Sequence, residues 1–199
     1  MANYGELHNE MITNIMSRVN ISSDMTKEQK KEILLQEFLD SNGTDNQEII
    51  EQGLGFNTPY EIIDAIKEKI SLNFHTVLKQ DLDYLLESEN VNYEEYFNER
   101  LVDTLDGKEL ELYRDCSSIF ISSVQLWSSE EGMNYNDTLY TPDTAARRPP
   151  TRNQVVGMIG AHDWVGGVFG GILGGPFGVV VGAAAASASA AMSHSIRYN

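Results

Sequence analysis

Few side chains in this sequence are placed to do chemistry, and their spacing limits what that chemistry is. His162-Asp163 is the one titratable pair inside a long apolar stretch. Two roles suit it. As a pH trigger, neutralising Asp163 would lower the cost of moving it into lipid. As a cap, Asp163 would hold the amino end of a helix through its carboxylate. The cap is the expected role. His8, His75, His162 and His194 lie far apart and share no ligand spacing with one another or with Cys116, so no metal is expected. Cys116 is the only cysteine, which excludes an intramolecular disulfide, and its place on an apolar helix face marks it as a core residue. Ser187, Ser189, Ser193 and Ser195 have no G-x-S-x-G frame and no nearby base. The glycines fit neither the dinucleotide nor the P-loop spacing. No enzyme activity and no cofactor are therefore expected. Leu7-His8-Asn9, early in a first helix, has the groups to bond loop backbone or cap a neighbouring helix, and its expected role is structural.

These residues are positioned around one stretch, Trp164 to Met192, which has 29 residues and no charge. Gly166, Gly170, Gly174, Gly178 and Gly182 stand four apart, and Ala186 and Ala190 continue the row. A second row, Gly167, Gly171 and Gly175, runs beside it. On a helix, residues four apart share a face, so each row is a groove without side chains into which another helix packs closely. Each interior Gly costs about 1 kcal/mol relative to Ala, so close packing must supply the missing stability. As one kinked helix the stretch would reach about 43 Å, beyond the roughly 30 Å core of a bilayer, with Trp164 and Tyr198 at the interfaces and Arg147, Arg148 and Arg152 upstream. Alternatively, Gly174-Gly175-Pro176 is a hinge, Pro176 begins a second helix, and Val155–Leu173 folds against Phe177–Met192 with the glycine rows between the arms.

The remaining chain reads as helices. Apolar residues recur at helical spacing over Gly5–Val19. Thr26 opens a capping box with Gln29 ahead of Ile33, Leu34, Phe38 and Leu39, and Asn42-Gly43 ends that helix. A short helix is expected at Asn46–Gln52. Thr58-Pro59-Tyr60-Glu61 starts a long one reaching Ser88, bent near Asn73. Asn92 with Glu95 opens another through Leu101 and Leu105, and a longer one follows Asp106-Gly107 as far as Trp127. Acidic stretches such as Asp81–Glu89 and Glu94–Glu99 are expected to be solvated faces. Residues 130–152 lack a period and read as a linker. The expected fold class is all-α: a small irregular helical bundle at 1–129, then the linker, then a Gly/Ala-rich tail at 153–199 folded as a helical hairpin or a kinked helix.

The formal charge is −16, and it is unevenly spread. Residues 151–199 hold Arg152, Asp163 and Arg197, a net of +1, which leaves −17 on residues 1–150. So acidic a body is unsuited to nucleic acid and is repelled by anionic headgroups. The start has no basic region followed by an apolar run, so no Sec-type signal peptide is expected. Synthesis in the cytoplasm would then be followed by membrane association or by export through a signal-independent route.

Tyr4-Gly5-Glu6-Leu7-His8-Asn9, the run Ser117–Ser123 leading to Trp127, and Asp163 ahead of the glycine rows together resemble a loosely defined group of uncharacterised bacterial proteins. The resemblance implies a helical body with a Gly/Ala-rich carboxyl tail and carries no activity. In composition the tail is also similar to glycine-rich segments of bacteriocins and other pore formers. The expected function is that of a non-enzymatic, membrane-active or membrane-anchored protein whose glycine zipper inserts or self-associates, bacteriocin-like or toxin-like in its sharpest form. Its partner would be membrane lipid or a second copy of itself. The alternative is a soluble helical interaction protein whose zipper packs on its own body or in a homo-oligomer.

Overall fold

The computed structural model describes residues 3–88, 91–100, 102, 104–105, 107–141 and 151–196. Among these the chain is all-α, with no strand. The helices are α1 (Tyr4–Arg18), α2 (Lys27–Asn42), α3 (Gln47–Gly55, after a 3-10 turn at Thr44–Asn46), α4 (Pro59–Ile66), α5 (Leu72–Glu87), α6 (Tyr93–Glu99), α7 (Gly107–Ser128), α8 (Glu130–Leu139) and α9 (Arg152–Ser193). Rather than following the bundle as an appendage, α9 runs through its middle. It packs against α1, α3, α4, α5 and α7, with α7 and α3 making the broadest contacts.

Local signals explain most boundaries. The Thr26–Gln29 capping box begins α2, and Thr58 caps α4 with Pro59 in its first turn. The long helix expected from Thr58 to Ser88 is two. Ser71 accepts from Phe74 N at 3.0 Å as the cap of α5, and Glu109 of α7 takes both its N–H and its hydroxyl, at 2.8 and 2.6 Å. That tertiary cap interrupts the apolar period. The helix opened by Asn92 stops at Glu99; Leu101 and Asp106 lie outside the described residues.

Part of the expected linker is helical. Ser129 caps α8, whose buried residues are Gly132, Asn136 and Leu139. A Cβ at Gly132 would lie 2.2 Å from the Leu126 carbonyl oxygen, so only glycine permits this tight α7–α8 turn. Asn136 then donates to Ala191 O and His194 O, at 3.0 and 2.7 Å, and accepts from Ile196 N at 2.8 Å, tying α8 to the end of α9. Arg147, Arg148 and Tyr198 lie outside the described residues.

α9 is a hairpin. Gly175 takes φ 64° and ψ −154°, a left-handed conformation open to glycine, and Pro176 begins the second arm. The arms are 152–174 and 176–193. They run antiparallel, because a Cβ at Gly170 would lie 1.9 Å from Gly178 O and one at Gly166 would lie 2.8 Å from Gly182 O. Trp164, expected at an interface, is instead fully buried, with its ring edge-on to Phe97 and Tyr113 at 5.7 and 5.8 Å.

Candidate functional site

The polar centre of the molecule lies where the hairpin meets the body. Asp163 does not cap a helix. The α9 cap is Thr151, in a second capping box with Gln154, about three turns upstream. From mid-helix the Asp163 carboxylate points into the core and is fully buried. Its Oδ2 accepts from Ser187 Oγ of the second arm at 2.9 Å and from Ser123 Oγ of α7, and it lies 3.3 Å from His8 Nε2 of α1. Ser187 in turn accepts from Trp127 Nε1 at 3.0 Å. One carboxylate thus gathers α1, α7 and both arms, all through side chains withdrawn from water.

Hydrogen-bond accounting fixes the imidazole. Asn9 Nδ2 donates to Ser122 O at 2.9 Å, which turns Asn9 Oδ1 toward His8 Nδ1, also at 2.9 Å. An amide oxygen only accepts, so Nδ1 carries a proton. Nε2 is then the ring atom that faces the Asp163 carboxylate. Leu7-His8-Asn9 therefore acts through its second and third residues, while Leu7 is exposed. Both serines donate into the carboxylate and neither faces a free base, so this constellation fastens elements together and does not activate a hydroxyl.

His162 faces another way. Its Nδ1 lies 2.9 Å from Met158 O, and complete burial holds its pKa below the ordinary histidine value. His194, just past the second arm, is pushed down to about 4, first by burial and then by His162 and Lys27 nearby. Lys27 Nζ donates to Ser193 Oγ at 2.8 Å and to Asn57 Oδ1 at 3.3 Å. The base of the hairpin thus holds three groups able to carry positive charge.

The zipper residues divide by neighbour. Gly166 and Gly170 face Gly178, Gly182 and Ala186 across the hairpin. Gly174 turns to Ile49 of α3, where a Cβ would lie 2.6 Å from Cδ1. Ala190 is buried. In the second row Gly167 and Gly171 face α7, where a Cβ at Gly167 would meet Cys116 Sγ at 3.1 Å and one at Gly171 would meet Leu112 Cδ1 at 2.6 Å, while a Cβ at Gly175, in the turn, would meet open space. Among the described residues no three His, Cys, Asp or Glu side chains converge as a metal site would require.

One buried polar residue corrects the sequence reading, and a second adds to it. Asp81, expected on a solvated face, is 1 % exposed and accepts from Arg100 Nε at 2.7 Å, Tyr96 OH at 2.8 Å and Tyr113 OH at 2.6 Å. Its place in the row Phe74, Val77, Leu78, Asp81, Leu82, Leu85 was the available signal. Burial and the Asp81 charge push the Tyr113 hydroxyl well above its ordinary pKa. Lys30 shares a stripe with Leu34 and Phe38, and its Nζ donates to Leu139 O and Tyr140 O at the end of α8, at 3.1 and 2.9 Å. No family model, no curated protein and no solved structure matches this chain.

Proposed function

We propose that this protein is non-enzymatic and membrane-active, holding its glycine-zipper hairpin closed in water until a membrane receives it. The observation that carries this reading is that the hairpin packs on itself. Gly166 and Gly170 meet Gly178 and Gly182 within the hairpin, so these contacts survive when the body moves away. At 1.5 Å per residue the arms span about 34 and about 27 Å, against a hydrocarbon core of roughly 30 Å. α9 is the one helix among the described residues that is long and apolar enough to cross a bilayer, and it is mostly buried. Asp163, the one acidic residue in either arm, keeps Ser187 as a donor if the hairpin leaves. The turn meets solvent first, with Phe177 51 % exposed beside Pro176. A bacteriocin-like or toxin-like role is the sharpest form of this reading, and the charge on the body favours neutral over anionic bilayers.

Dye release from zwitterionic vesicles by the full chain, at neutral and mildly acidic pH, tests the proposal. Release is expected, stronger in acid. A chain that stays monomeric and leaves vesicles intact at both pH values would make the hairpin a permanent core. The second reading, a soluble helical interaction protein, would then stand; the grip of His8 and Ser123 on Asp163 is the observation in its favour.

A further inference from the structure

Apolar side chains gather at the end of the molecule where the hairpin turns. On one side of the turn, a cleft of about 520 Å³ has Leu112, Ile172, Pro176 and Val179 among its lining. On the other, Leu7 and Met11 of α1 line a second cleft with Phe177 and Val180. Leu72 is 80 % exposed and follows Ser71, which is bonded to Glu109 on the rim of the first cleft. Among the described residues, three of the four large exposed hydrophobic residues, Leu7, Leu72 and Phe177, thus belong to this end. The rim of the first cleft is acidic: Glu109, Glu111 and Asp115 against Lys108 alone. Glu111 and Asp115 are four apart on α7, a spacing at which like charges repel. Burial and Glu111 together raise the Asp115 pKa, as expected of a carboxylate short of countercharge.

We infer that this end is a docking surface for a cationic amphipathic helix of another polypeptide, its apolar stripe on Leu112, Ile172 and Pro176 and its Lys or Arg residues on Glu111 and Asp115. A second copy of the chain would bring the same acidic rim and be repelled, and an anionic membrane is disfavoured for the same reason. A helix laid in an apolar groove with charged flanks satisfies both features together. The surface belongs to the closed form in water and does not depend on release of the hairpin.

The test is fluorescence anisotropy on the full chain, without lipid, using a labelled Leu/Lys amphipathic peptide of about five turns and its Leu/Glu counterpart. The Lys peptide binds, weakening steeply with salt, and the Glu peptide does not. E111Q with D115N weakens binding about tenfold, Ile172→Ser weakens it comparably, and E28Q with E32Q on α2 leaves it unchanged. Circular dichroism on each variant confirms that the helices persist. No binding of the Lys peptide, equal binding of both peptides, or equal weakening by the α2 pair would each overturn the assignment.

Discussion

The two small-residue rows on the first arm of α9 meet different material. Gly166 and Gly170 face backbone of the second arm, where added Cβ atoms would lie 2.8 and 1.9 Å from carbonyl oxygens. Gly167 and Gly171 face mainly side-chain ends, those of Cys116, Ile119 and Leu112 on α7, with Val179 of the second arm beside them. A helix backbone yields only if the whole arm shifts, whereas a side chain can change rotamer. The inner seam is therefore fixed and the outer seam adjustable. On the proposed function, the hairpin parts from its body before it parts from itself.

Gly170→Leu breaks the fixed seam and should have the largest effect, a loss of more than about 4 kcal/mol, with the hairpin unable to close. Urea unfolding of the variant measures it. Asp163→Ala loosens mainly the outer seam: it strands His8 and Ser123 and removes one bond between the arms, that from Ser187, while leaving the inner glycine row intact. Its expected cost is about 3 kcal/mol, with helix content retained by circular dichroism. If Asp163→Ala cost as much as Gly170→Leu and also abolished helix content, the two seams would not be separable.

Acid should loosen the base of the hairpin. His162 and His194 have folded-state pKa values below the unfolded value of about 6.5, and His194 is near 4. Below pH 6.5 the unfolded chain binds protons that the folded chain does not, so stability falls between about pH 6.5 and 4. A loss on the order of 2 kcal/mol between pH 7 and 5 is expected, reduced in His194→Asn. A stability that rises on acidification would remove both histidines from the account, and the same loss in that variant would remove His194. The smallest effect is assigned to Gly171→Ala, about 1 kcal/mol, since Leu112 and Val179 can move aside and alanine gains helix propensity. A cost close to that of Gly170→Leu would mean the outer seam is as rigid as the inner one.

The all-α class is legible because it depends on local helical periodicity and capping, whereas the stride-four glycines and Gly174-Gly175-Pro176 leave a hairpin and a kinked helix both open. The division of labour between the rows is not legible, since it depends on which distant helix covers each one. Asp163 reads as a cap when the apolar run is made the start of the helix, although Thr151-Arg152-Asn153-Gln154 has the same capping pattern as Thr26–Gln29. α8 escaped because its buried face is Gly132, Asn136 and Leu139, chosen for close approach and hydrogen bonding rather than for hydrophobicity. The meeting of His8 with Asp163 joins the two ends of the chain, and no spacing rule reaches that far.

The separation of hairpin from body is tested most directly by locking the outer seam. A Cβ at Gly167 would lie 3.1 Å from Cys116 Sγ, within reach of a disulfide, so Gly167→Cys pairs with the native cysteine on oxidative refolding. With the bond formed, dye release from zwitterionic vesicles should fall at least about tenfold and return on reduction, because each tenfold change reflects about 1.4 kcal/mol. Equal release by the locked and reduced forms would contradict the account, since the hairpin would not need to leave α7 in order to act.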